Sequence, residues 1–146
     1  MLRTLSSIFG LMLLLTACGE NMQSASLQKP PPATPLEPRT WMVFFDTGSV
    51  RLSEQANTTI AAAAGVARST APTKVTVAGY TDTEGNAAFN QALSVRRANA
   101  VRDALVKAGV APETIAIVGE GEMALLVPTG DNVRYPSNRR VAVVVR

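Results

Sequence analysis

The 146-residue sequence has no histidine, a single cysteine, and aromatic residues at only 5% of positions. Without histidine, no side chain has an ordinary pKa near neutrality, so the usual base of a serine or cysteine hydrolase is missing. Cys18 has no intramolecular disulfide partner, and a zinc set built from cysteine and histidine cannot be assembled. Charge is also sparse: fourteen bases offset eleven acids, leaving a net charge of +3, with no basic run interleaved with aromatics. Nucleic acid is therefore not an expected partner. The apolar run from Ile8 to Leu15 falls well short of the roughly 20 residues that span a bilayer. Paired acids remain as catalytic candidates, but Glu120 and Glu122 flank Gly121 and read more simply as a solvated turn. No enzymatic activity, metal or cofactor is expected.

What is present begins with Arg3, the short apolar run, and small residues ahead of the cysteine, the layout of an export signal over residues 1–17. Leu15-Thr16-Ala17-Cys18 resembles a bacterial lipobox, in which the cysteine is lipidated and becomes the mature N-terminus. The plainer alternative is a secretory signal with an accidental cysteine. The lipobox reading implies at least two acyl chains on Cys18, enough for stable attachment to membrane lipid. Gly19 stands where bacterial lipoproteins kept in the inner membrane carry aspartate, so the resemblance points to the outer membrane, with the domain facing the periplasm. Residues 18–39 then turn to Ser, Gln and Ala with prolines at 30, 31, 32, 35 and 38, which predicts an extended linker. At roughly 3 Å per extended residue, it reaches on the order of 60 Å.

Residues 40–146 carry the periodicity of one folded domain. Trp41 to Phe45 reads as a buried strand ended by the Asp46-Thr47-Gly48-Ser49 turn. Ser53 followed by Glu54 opens an alanine-rich helix to about Ser69, able to lie close on a sheet, and Pro72 ends the connection. A strand over Val75–Ala78 breaks at Gly79. Phe89, Leu93, Ala100, Val101, Ala104, Leu105 and Ala108 recur at three- and four-residue spacing, predicting a helix over 87–108 stopped by Gly109. Ile115–Val118 is a third strand, a long loop covers 122–137, and Arg140–Val145 closes the chain. The order β-α-β-α-β-β predicts an α+β fold, a two-layer sandwich with both helices on one face of a small mixed sheet.

Polar residues concentrate after the second strand. Asp82 lies between Thr81 and Thr83, whose hydroxyls and backbone donors are placed to hold its carboxylate; it reads either as a turn aspartate or as a ligand group. Asn90, Ser94 and Arg97 are four and three residues apart and share one helical face beside that turn. A carboxylate and a guanidinium so placed either pair with each other or grip a ligand bearing both an ammonium and a carboxylate.

These residues carry a resemblance. GYTD ending at Asp82, then Gly85, Asn90, LSVRRA from Leu93, Gly109, GEGE from Gly119 and NRRV from Asn138 resemble the OmpA-like peptidoglycan-binding domain across about residues 40–146. The resemblance implies non-covalent binding of peptidoglycan through the diaminopimelate of its stem peptide, tethering the outer membrane to the cell wall. It implies that Asp82 receives the diaminopimelate ammonium, that Arg97 binds its carboxylate, and that Asn90 stands at the family's pocket asparagine. Asp46 and Thr47 are then expected to line the pocket, with Thr83 beside Asp82 and with Asn138 and Arg139 as braces; Arg96 fits the pattern less well. Two departures stand out: Tyr80 replaces a common histidine, and Ala142 replaces the glutamate that often follows NRRV. A Tol-type envelope protein is a compatible partner. The alternative function is an interaction component of a larger envelope complex, in which wall binding only positions the domain.

Overall fold

β-branched and apolar residues alternate along the strands, and that alternation decides which face of the sheet the helices cover. In the computed structural model, residues 37–70 and 73–146 are described. The expected export leader, Cys18, Pro72 and all of the expected linker but its last three residues lie outside them. The strands are β1 (Arg39–Phe44), β2 (Val75–Tyr80), β3 (Ile115–Gly121) and β4 (Arg140–Val145); the helices are α1 (Glu54–Ser69) and α2 (Ala87–Lys107). The sheet order is β1-β4-β2-β3, antiparallel except for the β2–β3 pair. The expected mixed sheet and element order are both present.

Val43 on β1, Val75 and Val77 on β2, and Val141, Val143 and Val145 on β4 are all buried, every second residue of their strands. They pack with Ile60 of α1 and Val101 and Leu105 of α2 in one core. Each such side chain contributes about 1.5–3 kcal/mol by leaving water. Ser53 caps α1 by accepting a hydrogen bond from the Ala56 N–H at 3.1 Å, and Asn86 caps α2 through the Phe89 N–H at 2.7 Å. Ala56, Ala63, Ala64 and Ala67 are the buried face of α1 beside Ile60, so the helix sits low on the sheet as its composition implies.

The structure alters four of the sequence expectations. β1 starts at Arg39, inside the expected linker, because Arg39 and Thr40 pair with Val145 and Val144. It is an edge strand, so Met42 and Phe44 are exposed on the face away from the helices instead of buried. Phe89, expected in the core, is exposed and stands at the rim of a cavity. Gly79 and Gly119 do not end their strands: β2 runs on to Tyr80 and β3 to Gly121. At both positions a Cβ would overlap α2, at Gly79 on the Ser94 carbonyl and at Gly119 on the Val95 side chain. The glycines are where the helix backbone is pressed against the sheet.

On the uncovered face, Met42, Ala142, Ala78 and Val118 stand in register across all four strands. Tyr80 occupies the same face, with the Arg140 guanidinium 3.9 Å above its ring, so the tyrosine that replaces histidine serves as a stacking platform. Arg140 donates to the Ala124 carbonyl at 3.1 Å, while its Nε and Nη1 have no partner among the described residues. Burial lowers its pKa. Ala142, two residues along the same face, offers no carboxylate to those donors.

The close approach at Gly79 yields a direct test. Gly79→Ala is expected to destabilise the domain by about 3 kcal/mol, because the obstacle is helix backbone that cannot rotate away. Urea unfolding of the variant within 0.5 kcal/mol of wild type would contradict that packing; the comparison scale is the usual scatter of neutral substitutions, about 0.5 kcal/mol.

Candidate functional site

The site is built where three connections meet at one end of the sheet: the β1–α1 turn, the turn between β2 and α2, and the long segment before β4. A charged side chain joins two of them, the β1–α1 turn and the end of β2. Arg97, on α2, is 0% exposed. Its Nε donates to the Ser49 carbonyl at 2.9 Å, Nη2 to the Asp46 carbonyl at 2.9 Å and Nη1 to the Tyr80 carbonyl at 3.1 Å. Its guanidinium carbon also lies 5.2 Å from the Phe45 ring centroid. A guanidinium carries five N–H donors, so three are committed to backbone and two remain. Burial lowers the Arg97 pKa to about 10, with Asp82 raising it and Arg139 lowering it. The group therefore stays charged at neutral pH.

Asp82 is buried in the turn after β2. Neither neighbouring threonine hydroxyl holds its carboxylate, contrary to the reading of the sequence. Oδ2 instead accepts from the Tyr135 backbone N–H at 3.1 Å and from Arg139 Nη1 at 3.2 Å, both supplied by residues more than fifty positions away. Oδ1 enters no hydrogen bond among the described residues. Arg139 also donates from Nε to the Phe45 carbonyl at 3.1 Å, so it braces the carboxylate against β1. Asp82 and Arg97 make no ion pair with each other; Asp82 pairs with Arg139.

Asp82 and Arg97 both line a cavity of about 230 Å³, together with Thr47, Asn90, Leu93 and Phe89. Asn90 points its amide at the Glu84 carbonyl at 3.0 Å, the Glu122 carboxylate at 2.6 Å and, at 3.3 Å, the Asp82 carbonyl. It shapes the turn that carries Asp82. Ser94 faces β3, accepting from the Gly121 N–H at 3.0 Å, and is not in the cavity wall. Asp46 contributes its carbonyl to Arg97, and the residue lines a neighbouring cavity and not the one that Asp82 and Arg97 share. Arg96 is exposed, 5.7 Å from the Phe89 ring, and belongs to the surface.

Thr83 and Asn138 are fasteners for the long segment. The Thr83 hydroxyl donates to the Gly130 carbonyl at 2.7 Å and accepts from the Val133 N–H at 3.0 Å. Asn138 bonds both backbone groups of Val127 at 2.9 Å through its side-chain amide. Thr83 is therefore outside the cavity wall, and Asn138, expected to brace the pocket, fastens the long segment at Val127. Two wall residues escaped the sequence reading: Glu84 and Arg134, which form an ion pair at the cavity. They are fifty positions apart, with no periodicity or motif to connect them.

The arrangement offers a carboxylate oxygen and a guanidinium, each with unused capacity, to one small cavity that also has an aromatic and an aliphatic wall. Among the described residues no cluster of metal-ligating side chains occurs. The chemistry on offer is charge-assisted recognition of a small group bearing both signs.

Because Arg97 satisfies three backbone carbonyls and exposes no surface to solvent, it is a structural group that borders the cavity from behind. Arg97→Ala is expected to lower stability by at least about 3 kcal/mol, as three buried backbone acceptors lose their donors. Differential scanning calorimetry checks this; an unchanged unfolding temperature would show that the clamp does not hold the β1–α1 turn to the end of β2.

Residues 44–139 match the OmpA family. The chain is 38% identical over 117 residues to an outer membrane protein of Gluconacetobacter diazotrophicus, covering 76% of this chain and 31% of that protein. It thus spans about a third of the length of that curated relative. It is 32% identical over 103 residues to the peptidoglycan-associated lipoprotein of Mesorhizobium japonicum, covering 70% of this chain and 61% of that one. Among solved structures, the peptidoglycan-associated lipoprotein of Burkholderia pseudomallei superposes with a TM-score of 0.67 at 28% identity, covering 73% of this chain and 90% of that chain.

Proposed function

This chain belongs to the OmpA family, and from that membership and its two-signed cavity we propose that it binds peptidoglycan non-covalently through the diaminopimelate of the stem peptide. The observation that carries the reading is the convergence of Asp82 and Arg97 on one cavity of about 230 Å³. The side chain of diaminopimelate ends in an ammonium and a carboxylate on one carbon. The ammonium is assigned to the unused Oδ1 of Asp82 and the carboxylate to the two uncommitted N–H groups of Arg97. Arg139 and the Tyr135 N–H fix the Asp82 carboxylate beforehand, so little ordering remains for binding to impose. The cavity is smaller than the roughly 300–1,000 Å³ of drug-sized sites, in keeping with one amino-acid side chain as the buried part of the ligand.

The reading extends to the rest of the chain as a tether. Cys18 is assigned as the lipidated N-terminus after removal of residues 1–17, holding the protein in the outer membrane lipid. Residues 18–39 are the spacer, and the domain from residue 40 onward is the part that meets the wall in the periplasm. Joining a lipid anchor to a wall-binding domain raises the effective concentration of each end at its target, so modest affinity suffices. None of the relatives above is named for a catalytic activity, and the site is read as a binding site without a catalytic residue. A Tol-type protein partner is compatible with this role.

The test uses Asp82→Asn, which keeps an acceptor for Arg139 and Tyr135 while removing the charge. Co-sedimentation with purified sacculi is expected to weaken at least about tenfold, the size of one charge-assisted hydrogen bond to a charged group. Binding undiminished in a folded Asp82→Asn protein would withdraw the assignment. Arg97→Ala is the poorer choice, since loss of its backbone clamp confounds loss of a ligand contact.

A further inference from the structure

A second cavity, of about 460 Å³, opens on the other side of the β1–α1 turn. The turn itself is the partition: Asp46 faces the larger cavity, while the next two residues, Thr47 and Gly48, face the smaller one. Arg139 stands in the same partition, bonded to Asp82 of the first cavity while lining the second. Phe44, Phe45 and Pro136 supply an apolar wall. Arg51 supplies a cation that is exposed and makes no ion pair among the described residues. Asp46, also exposed, makes no ion pair among the described residues. The helix α1 opens at this cavity with Ser53 as its cap, so the positive end of a sixteen-residue helix borders it.

We propose that this cavity is a subsite for the residue that follows diaminopimelate in the stem peptide, a small apolar amino acid with a free α-carboxylate. The proposal rests on the reading given above for the first cavity. The carboxylate meets Arg51, with Arg139 and the α1 start adding positive potential. The short side chain lies against Phe44 and Pro136, and the peptide N–H is directed to the Asp46 carboxylate. This cavity has about twice the volume of the first, so a single small residue enters it without filling it. A ligand spanning the partition gains from both sides without a second association cost.

The experiment titrates the full chain, by isothermal calorimetry, with three probes: the stem tripeptide ending in diaminopimelate, the tetrapeptide with one further D-alanine, and that tetrapeptide as its C-terminal amide. Wild type is expected to prefer the tetrapeptide by about tenfold over both other probes, the scale of one carboxylate–guanidinium contact. Arg51→Ala is expected to abolish that preference and leave tripeptide affinity within about twofold of wild type, since its side chain makes no contact that the fold uses. Equal affinity of wild type for all three probes, or equal weakening of all three in Arg51→Ala, overturns the subsite while leaving the first cavity's role standing. Failure of wild type to bind the tripeptide and tetrapeptide alike overturns the diaminopimelate reading and the subsite with it.

Discussion

The Arg97 guanidinium is the contact on which the working end of this domain depends. It reaches from α2 to carbonyls of Asp46, Ser49 and Tyr80, closing the β1–α1 turn and the end of β2 around one buried charge. Burying a charge costs several kcal/mol unless its donors are met, and here three of five are met by backbone that the fold has already placed. Asp82 lowers the remaining cost from a distance, while its own charge is neutralised by Arg139. The two signs therefore stay apart, each partly compensated by something other than its counterpart. Had they closed on each other, the free Asp82 oxygen and the two free Arg97 N–H groups would be spent on that pair.

The fold was largely legible in the chain because its signals are local. Period-two strands, the Ser53 and Asn86 caps and the alanine-rich face of α1 act over a few residues, and the element order follows from them. The errors came where tertiary packing overrides a local rule. Gly79 and Gly119 look like breakers along the sequence, but a helix pressed to the sheet needs a missing Cβ inside a strand. Phe89 fits the apolar repeat of α2, yet its position near the first turn carries it past the sheet to the cavity rim. Edge position exposes Met42 and Phe44 for a similar reason: nothing in their own segment says that one side of the strand will go uncovered.

The site was legible in its charges and not in its wiring. Asp82, Arg97 and Asn90 are brought to one place, as their spacing and the resemblance implied. The partners of Asp82 were misplaced, because the flanking threonines are near in sequence while Tyr135 and Arg139 are near only in the folded chain. Thr83 shows the same limit: its hydroxyl secures the segment around residues 130–133 instead of the neighbouring carboxylate. Glu84 and Arg134 had no signal at all. The departures at Tyr80 and Ala142 prove to be linked through Arg140, which stacks on the first and finds no carboxylate at the second.

The placement of β1 has a mechanical meaning. Its first residue, Arg39, lies at the end of the sheet where the chain arrives, and its last leads directly into the Asp46–Ser49 turn that Arg97 grips at the opposite end. For a protein held at its N-terminal side and by a ligand at that turn, tension runs lengthwise along β1. The antiparallel bonds to β4 stand across the strand direction, so such a load shears the ladder as a whole and does not peel it one bond at a time. Six residue pairs then share the force. A strand at the edge of a sheet is ordinarily the easiest to strip away; pulled along its own axis, this one is placed to bear load.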